Sequence, residues 1–245
     1  MGKTAAIIQT RMGSTRLPGK VMMELCGKTV LEHVITRVKK AAQINEIIIA
    51  TTTQKKDDII AAEATRLGIK YFRGSEDDVL SRYYYAAEQN NVDMVVRITS
   101  DCPLIDPNII DELTLFYKKN HYDIVTNAGI DPNQRTYPRG LDTEVFSFNV
   151  LEDAFNNAKE HYQREHVTPY IYEHSKKVYY YKNDTDYSYH RWTLDTKEDF
   201  QLIEAIYRCL YKGKHDFNFN DIIKLFKNMP ELFNINAHIK QKKIY

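Results

Sequence analysis

The sequence predicts an α/β fold with a mainly parallel sheet and helices on both faces. In its first half, short apolar runs typical of buried strands alternate with longer segments whose apolar residues recur at helical spacing. This strand–helix alternation is the pattern of a parallel sheet. The predicted strands cover residues 5–9, 47–50, 70–72 and 94–99. The predicted helices cover residues 30–38, 59–67, 79–87 and 107–117.

Residues with a defined role at helix ends mark several boundaries. Gly68 follows the second predicted helix, at the C-terminal cap where a left-handed conformation suits glycine. Asp77 is placed to cap the third helix. Asp106 stands directly before Pro107 and is placed to cap the fourth.

The second half of the chain is less regular. We predict strands at residues 123–126, 144–148, 177–182 and 191–194. Predicted helices cover residues 150–159, 163–174, 197–210 and 217–226, and the tail after Pro230 is expected to pack only at its aromatic positions. Residues 129–140 contain two prolines and two glycines and are interpreted as a loop. We expect a single domain, residues 1–245, with an embedded lobe at about 129–190.

Composition excludes several classes of protein. The 245 residues carry 34 lysines and arginines against 33 aspartates and glutamates, a net charge of +1, which argues against binding to nucleic acid. A hydrophobic content of 43% is typical of soluble globular proteins. Apolar runs stay well below the ~20 residues of a membrane span, so we expect no membrane partner. The widely spaced Cys26, Cys102 and Cys209 favour a reducing, cytoplasmic environment.

The densest functional pattern lies at residues 9–20, directly after the first predicted strand. In an open parallel sheet, ligands bind at the carboxyl ends of strands. Exposed backbone N–H groups and several cations suit a polyphosphate, although the spacing is not that of a Walker A loop. An ordinary loop with solvated basic residues remains an open alternative. The candidate binding residues are Gln9, Arg11, Gly13, Ser14, Arg16 and Lys20.

Two aspartates follow later predicted strands. Asp101 comes just after the strand at 94–99, and Asp195 ends the short strand at 191–194. Carboxylates there suit a magnesium ion that bridges phosphate oxygens. Capping of the following helix is the alternative for both, and for Asp195 the Thr196–Asp199 spacing supports it. Cys102 is interpreted as a small buried residue, because no basic neighbour in the sequence would activate its thiol.

A third polar region spans residues 137–145, with residues 164–166 downstream. Its arginine, aspartate and glutamate side chains suit the binding of a polar acceptor molecule. A solvated loop is the open alternative. The candidates are Arg139, Asp142, Glu144 and His166.

Taken together, these segments resemble the SpsF-type spore-coat polysaccharide cytidylyltransferases, which are similar to the CMP-Kdo and CMP-sialic acid synthetases. The resemblance covers about residues 4–210. It is carried by residues 7–21, 72–80, 101–107, 140–146, 164–170 and 191–196.

The resemblance implies a three-layer α/β/α nucleotide-diphospho-sugar transferase fold, Rossmann-like with a mainly parallel sheet. It implies transfer of CMP from CTP to an acidic sugar or phosphorylated acceptor, with Mg²⁺ as cofactor and pyrophosphate as product. Homodimerisation through the second-half lobe is also implied. The matching catalytic positions are Arg16, Lys20 and Asp101, with Asp101 and Asp195 as metal ligands. The matching nucleotide-binding positions are Arg11, Arg73 and Ser75, and we also expect Gln9, Gly13, Ser14 and Ser100 to bind the nucleotide.

The sequence leaves the identity of the acceptor open, and it leaves two other functions open. Where the relatives have Gly-Asp-Glu-Pro or similar, this chain has Ser-Asp-Cys-Pro at residues 100–103, so the resemblance does not identify the particular acceptor. A GT-A-type glycosyltransferase would share the fold class, but the Asp-x-Asp pattern occurs only at residues 184–186, in a predicted turn. A non-catalytic nucleotide-binding protein would bind CTP without turnover.

Overall fold

A computed structural model describes residues 2–241 and contains a seven-stranded sheet with helices on both faces. Two further short strands form a hairpin, β2 (Glu24–Leu25) and β3 (Lys28–Thr29). The strands of the large sheet are β1 (Thr4–Gln9), β4 (Glu46–Thr52), β5 (Lys70–Gly74), β6 (Met94–Thr99), β7 (Ile124–Thr126), β8 (Glu144–Ser147) and β9 (Val178–Tyr180).

Helices of very different length connect these strands. Short 3₁₀ turns occur at Lys20–Met22, Lys55–Asp57, Pro132–Gln134 and Pro230–Ile235. The α-helices are α1 (Val30–Val38), α2 (Asp58–Arg66), α3 (Val79–Gln89), α4 (Pro107–Lys119), α5 (Phe148–Asn157), α6 (His161–His166), α7 (Pro169–His174), α8 (Lys197–Leu210) and α9 (Phe219–Asn228). None of the helices within residues 2–241 combines the length and apolar composition that a membrane crossing requires.

The strand order in the large sheet is β5-β4-β1-β6-β8-β7-β9. Strand β8 is antiparallel to both of its neighbours, and every other pairing is parallel. This confirms the predicted mainly parallel α/β fold.

The core lies in two layers, one on each face of the sheet. Along β1, Ala6 and Ile8 point into the layer that includes residues of α1, α4 and α8, whereas Ala5 and Ile7 point into the layer that includes α3 and α5. Strand β1 is therefore apolar on both faces, as expected for a central parallel strand. Full burial of one isoleucine side chain contributes about 1.5–3 kcal/mol. The two buried layers explain the apolar run that predicted this strand.

The order in which successive strands are added to the sheet reverses at β1, and this reversal positions the candidate functional residues. The chain passes from β1 outward through β4 to β5 and then returns to β6 on the other side of β1. Gln9 at the end of β1 lies opposite Thr99 at the end of β6. Such a switch point opens a crevice at the carboxyl ends of the strands. The segment after Gln9 and the residues after Thr99 both emerge there.

Several predicted local features are wrong in detail. The helix expected at 163–174 is split into α6 and α7, because Val167 adopts a positive φ of 73° and Pro169 begins the second helix without a backbone N–H. Helix α3 is capped by Asp78, not Asp77. The strand expected at 191–194 is reduced to a single bridge between Arg139 and Arg191.

The C-terminal tail packs by more than its aromatic positions. Leu232 is buried within the 3₁₀ turn Pro230–Ile235, and the polar Asn236 that follows is only 3% exposed. The 3₁₀ turn contacts both α8 and α9. A buried asparagine requires hydrogen-bond partners, and these lead back to the functional crevice.

Candidate active site

Two adjoining cavities open at the switch point between β1 and β6. The first cavity, about 350 Å³, takes nearly half of its lining from the segment after β1, including Arg11, Gly13 and Ser14. The second cavity, about 360 Å³, is lined by Arg97, Arg139, Asp142 and other residues of the second half. Both cavities share Gln9, Arg16, Thr99, Asp101, Glu165, His166 and Asp195. The shared residues form the boundary between the two spaces.

Lys20 joins the two predicted aspartates at this boundary. Its Nζ lies 2.8 Å from Asp101 Oδ2, 2.8 Å from Asp195 Oδ1 and 2.7 Å from the carbonyl oxygen of Leu194. Burial alone would lower the pKa of Lys20, but the two carboxylates outweigh it and raise the pKa above its ordinary value. Burial opposes ionisation of Asp101, yet Lys20 holds its pKa below the ordinary range. Lys20 and Asp101 are therefore both charged at neutral pH.

Two arginines complete the charge pattern at Asp195. Arg16 Nη2 lies 2.7 Å from Asp195 Oδ2, and Arg191 Nη2 lies 2.8 Å from the same oxygen. Asp195 does not cap α8, because Thr196 and Asp199 form the capping box at that helix. Its carboxylate is thus available to the crevice. Arg191 was not identified from the sequence, where it lay within an expected strand.

Asp57 holds the loop after β1 in place. Its Oδ1 accepts a hydrogen bond of 2.7 Å from the backbone N–H of Met12, and its side chain is fully buried. A Cβ added to Gly13 would lie 3.0 Å from Glu76 Oε1 and 3.1 Å from Lys56 Nζ, so the ends of these two side chains lie against the loop. Sequence reasoning missed Asp57 and Lys56, which come from the segment after β4.

Of the seven predicted nucleotide contacts, five line the first cavity and two do not. The five are Gln9, Arg11, Gly13, Ser14 and Ser100. The Arg73 guanidinium instead lies 2.7 Å from Asp58 and bonds the Thr52 carbonyl, and Ser75 Oγ accepts from the N–H of Asp78. Arg82, which was not predicted as a site residue, also lines the first cavity.

The second cavity contains a cation without a partner. Arg139 makes no ion pair or side-chain hydrogen bond within the described range 2–241, and it lies on the cavity wall. Burial lowers the pKa of Arg139, and the neighbouring Arg135 lowers it further. Asp142 is engaged by Arg135 in a two-pronged ion pair of 2.6 and 3.0 Å. An anion entering this cavity would meet Arg139 directly.

Glu144 lies behind the second cavity. It is 4% exposed, and its carboxylate accepts hydrogen bonds from Arg97 at 2.5 Å and from Tyr172 at 2.5 Å. Thr168 donates to it as well. This arrangement orients Arg97, which does line the cavity. His166, in contrast, lines both cavities.

Three residues with alternative interpretations, Cys102, Asp184 and Asp186, are not placed for the chemistry that those interpretations require. Cys102 is buried, and burial raises the pKa of its thiol well above the ordinary value. A protonated buried thiol is a poor nucleophile. Asp184 and Asp186 are exposed and irregular in structure, and neither lines the two cavities. The Asp-x-Asp arrangement of a GT-A glycosyltransferase is therefore not present at the crevice.

The two aspartates fit a magnesium ion that also binds phosphate. Because Asp101 Oδ2 and Asp195 Oδ1 lie 2.8 Å from the same nitrogen, they are separated by no more than twice that distance. Magnesium is held by oxygen ligands, usually one or two protein carboxylates with phosphates and water. In the described part of the chain, no group of three or more histidine, cysteine, aspartate or glutamate side chains is arranged to hold a metal. Phosphate and water oxygens would therefore have to supply the other ligands of an ion on Asp101 and Asp195.

Fold and crevice together define an α/β nucleotidyltransferase. The sequence model of the cytidylyltransferase family matches residues 5–244, and the chain belongs to that family. It is 40% identical to an uncharacterized protein from Methanocaldococcus jannaschii, over 98% of this chain and 97% of the relative. It is 33% identical to the spore coat polysaccharide biosynthesis protein SpsF of Bacillus subtilis, over 92% and 94%.

Solved structures agree with this assignment. A cytidylyltransferase from Leptospira borgpetersenii superposes with a TM-score of 0.89 at 34% identity and covers 100% of both chains. A CMP:2-keto-3-deoxy-manno-octonic acid synthetase complexed with CTP superposes with a TM-score of 0.64 at 18% identity, over 84% of this chain and 99% of that one. The latter likeness establishes the shared fold.

Proposed function

We propose that this enzyme transfers CMP from CTP to an anionic small-molecule acceptor in surface polysaccharide or glycan synthesis. The proposal rests on the ion pairs that Lys20 makes with Asp101 and Asp195, at the boundary of the two cavities. One cavity has the polyphosphate-type loop, and the other has an unpaired arginine. A donor and an acceptor placed in the two spaces would meet at this boundary.

The first cavity is the proposed nucleotide side. Arg11, Arg16 and Lys20 supply positive charge, and Gly13 with Ser14 brings the backbone close to a bound triphosphate. Arg16 and Lys20 are paired with carboxylates in the structure described here, so phosphate binding would exchange one anionic partner for another. Gln9 and Ser100 are proposed to contact the nucleotide from the ends of β1 and β6. For Arg73 and Ser75, contact with cytosine and ribose remains a prediction from the resemblance.

In the proposed reaction, an acceptor oxygen forms a bond to the α-phosphorus of CTP as the bond to the bridging oxygen breaks. Pyrophosphate leaves, and the acceptor proton passes to solvent. Magnesium held by Asp101 and Asp195 would, when bound, neutralise phosphate charge. Arg16 and Lys20 would stabilise the negative charge that develops on the departing pyrophosphate. One such preorganised contact accounts for about 10²–10³ in rate.

The second cavity is the proposed acceptor side. Arg139 provides the unpaired cation, and Asp142 and His166 also line the space. A carboxylate or phosphate on the acceptor would bind Arg139 by charge-assisted hydrogen bonds. Glu144 would contribute through Arg97, which it orients. The relative named for spore coat polysaccharide biosynthesis supports a small-molecule glycan precursor as the acceptor.

Three further predictions accompany this function. The resemblance supports a homodimer formed through the embedded lobe at about 129–190. A cytoplasmic location is consistent with three free cysteines, among them the exposed Cys26. We expect the partners to be CTP and the acceptor, without nucleic acid or membrane.

Pyrophosphate release tests the function directly. The protein is incubated with Mg²⁺ and each of the four nucleoside triphosphates, against a panel of sugar acids and phosphorylated sugars. We expect pyrophosphate with CTP and one class of acceptor, and a matching CMP conjugate by mass spectrometry. Binding of CTP without turnover across the panel would favour a non-catalytic role, and transfer from a nucleotide sugar would favour a glycosyltransferase.

A further inference from the structure

The proposed metal carboxylate Asp195 is held from behind by a residue that the nucleotide cannot displace. Arg16 and Lys20 face the first cavity and would turn to phosphate when CTP binds. Arg191 is different, because it is only 7% exposed and does not line the first cavity. Its Nη2 lies 2.8 Å from Asp195 Oδ2, which leaves Oδ1 directed to Lys20 and the crevice.

Arg191 is itself fixed by a fully buried carboxylate. Its Nε and Nη2 donate to Oδ1 and Oδ2 of Asp199 at 2.9 and 3.0 Å. The same carboxylate accepts from the backbone N–H groups of Asp195 and Thr196. Asp199 therefore sets both the backbone position of Asp195 and the orientation of the arginine that holds its side chain.

The last partner in this chain of contacts comes from the C-terminal tail. Asn236 Nδ2 donates to Asp199 Oδ1 at 2.8 Å and to the carbonyl oxygen of Arg191 at 2.9 Å. Both acceptors lie far from Asn236 in sequence, and its side chain is buried. An amide group suits this position, since a carboxylate would face the carboxylate of Asp199.

The tail also reaches the cavity itself. Gln241 lines the second cavity, and its Oε1 accepts a hydrogen bond from Arg191 Nη1. The Arg191 guanidinium thus donates to both Asp199 and Gln241, and Asn236 donates to the Arg191 carbonyl oxygen. The segment after the 3₁₀ turn at Pro230–Ile235 encloses the back of the active site.

We propose that Asn236 is a positioning residue of the active site, which acts through Asp199 and Arg191 to orient the Asp195 carboxylate for the metal–nucleotide complex. The proposal rests on the proposed function and adds that the tail after α9 is part of the catalytic apparatus. Partners that orient a metal-binding side chain typically change metal affinity by about 10–100-fold when removed. Loss of Asn236 is therefore expected to weaken the response to magnesium and leave metal-free nucleotide binding intact.

Calorimetric CTP binding, with Mg²⁺ and with EDTA, separates these effects without requiring turnover. The variants are Asn236→Ala and, as a matched control, Asn234→Ala, which changes an exposed asparagine two residues away. We expect wild-type protein and the control to bind CTP more tightly with Mg²⁺. Asn236→Ala should bind CTP normally in EDTA. The increase in CTP affinity that Mg²⁺ produces should be about tenfold smaller in this variant than in the wild type.

A second variant decides the question if Asn236→Ala does not fold. Gln241→Ala removes an exposed contact to Arg191 and should lower the same gain about threefold. Equal loss in EDTA and in Mg²⁺ would show a merely structural role and overturn the proposal, as would a full gain from Mg²⁺. Wild-type protein that binds no CTP would overturn the proposed function and this inference with it.

Discussion

The two cavities of the active site are built in different ways. The first takes nearly half of its lining from one continuous segment, residues 9–20, which begins at the end of β1 by the switch point. The second is assembled from residues of β6, the loop before β8, α6 and the C-terminal tail. The proposed nucleotide side is therefore local in sequence, whereas the proposed acceptor side depends on parts of the chain that only the fold brings together.

The largest effect is expected from Asp101→Asn, at the boundary that both cavities share. Asparagine keeps the size of the side chain but removes the charge that pairs with Lys20 and is proposed to bind magnesium. We expect turnover to fall at least a hundredfold, on the order of other losses of a preorganised charge contact. Steady-state pyrophosphate release measures it. Asp184→Asn, at an exposed aspartate outside both cavities, is the control and should leave the rate unchanged.

Lys20→Met tests the same boundary from the cationic side. Methionine leaves the carboxylates of Asp101 and Asp195 without the ammonium group that joins them. We expect at least a hundredfold lower turnover because charge on the departing pyrophosphate is no longer neutralised. Lys119→Met, at an exposed lysine, serves as control. A near-wild-type rate for Lys20→Met, in protein that unfolds cooperatively, would remove Lys20 from the mechanism.

Arg139→Met separates the two cavities. The variant removes the unpaired cation of the second cavity and leaves the loop after β1 untouched. A hydrogen bond to a charged group contributes about 1.5–3 kcal/mol, so we expect the acceptor KM to rise about 10–100-fold. The KM for CTP should stay the same, and Arg208→Met, at an exposed arginine, should change neither. A rise in the CTP KM instead would mean that the cavities are assigned the wrong way round.

The smallest expected effect is on the pH dependence of stability, through a histidine that packs among aromatic residues. Burial lowers the pKa of His190 to about 4 from its ordinary 6.5. The unfolded chain then binds one more proton than the folded chain between these values, so stability falls as pH drops from about 6.5 to 4. His190→Phe should remove up to ~1.4 kcal/mol per pH unit of that dependence. Urea unfolding at pH 7, 6 and 5 measures the slope, and an unchanged slope would contradict the assignment.

The fold and the nucleotide side could be predicted because their signals are local. Apolar runs predicted β1, β4 and β6. The loop at residues 9–20 and Asp101 both follow predicted strands, which indicated a shared crevice, and the structure joins Lys20 of that loop to Asp101. Asp195 was predicted with capping as an alternative, which the Thr196–Asp199 box excludes.

The remaining site depends on contacts between distant parts of the chain. Asp57 bonds Met12, and Asn236 bonds Asp199, across separations that no spacing pattern encodes. Glu144 looked like a cavity residue because its loop is polar, yet strand β8 turns its side chain toward Tyr172. Burial and long-range pairing decide such residues, and both require the folded chain.

A crystal structure with CTP and Mg²⁺ tests the central claim most directly. We predict that the triphosphate occupies the first cavity against residues 9–20, with a metal ion bound by Asp101 and Asp195 and with Arg16 and Lys20 on phosphate oxygens. A triphosphate bound away from this loop, or a metal ion that contacts neither aspartate, would contradict the account.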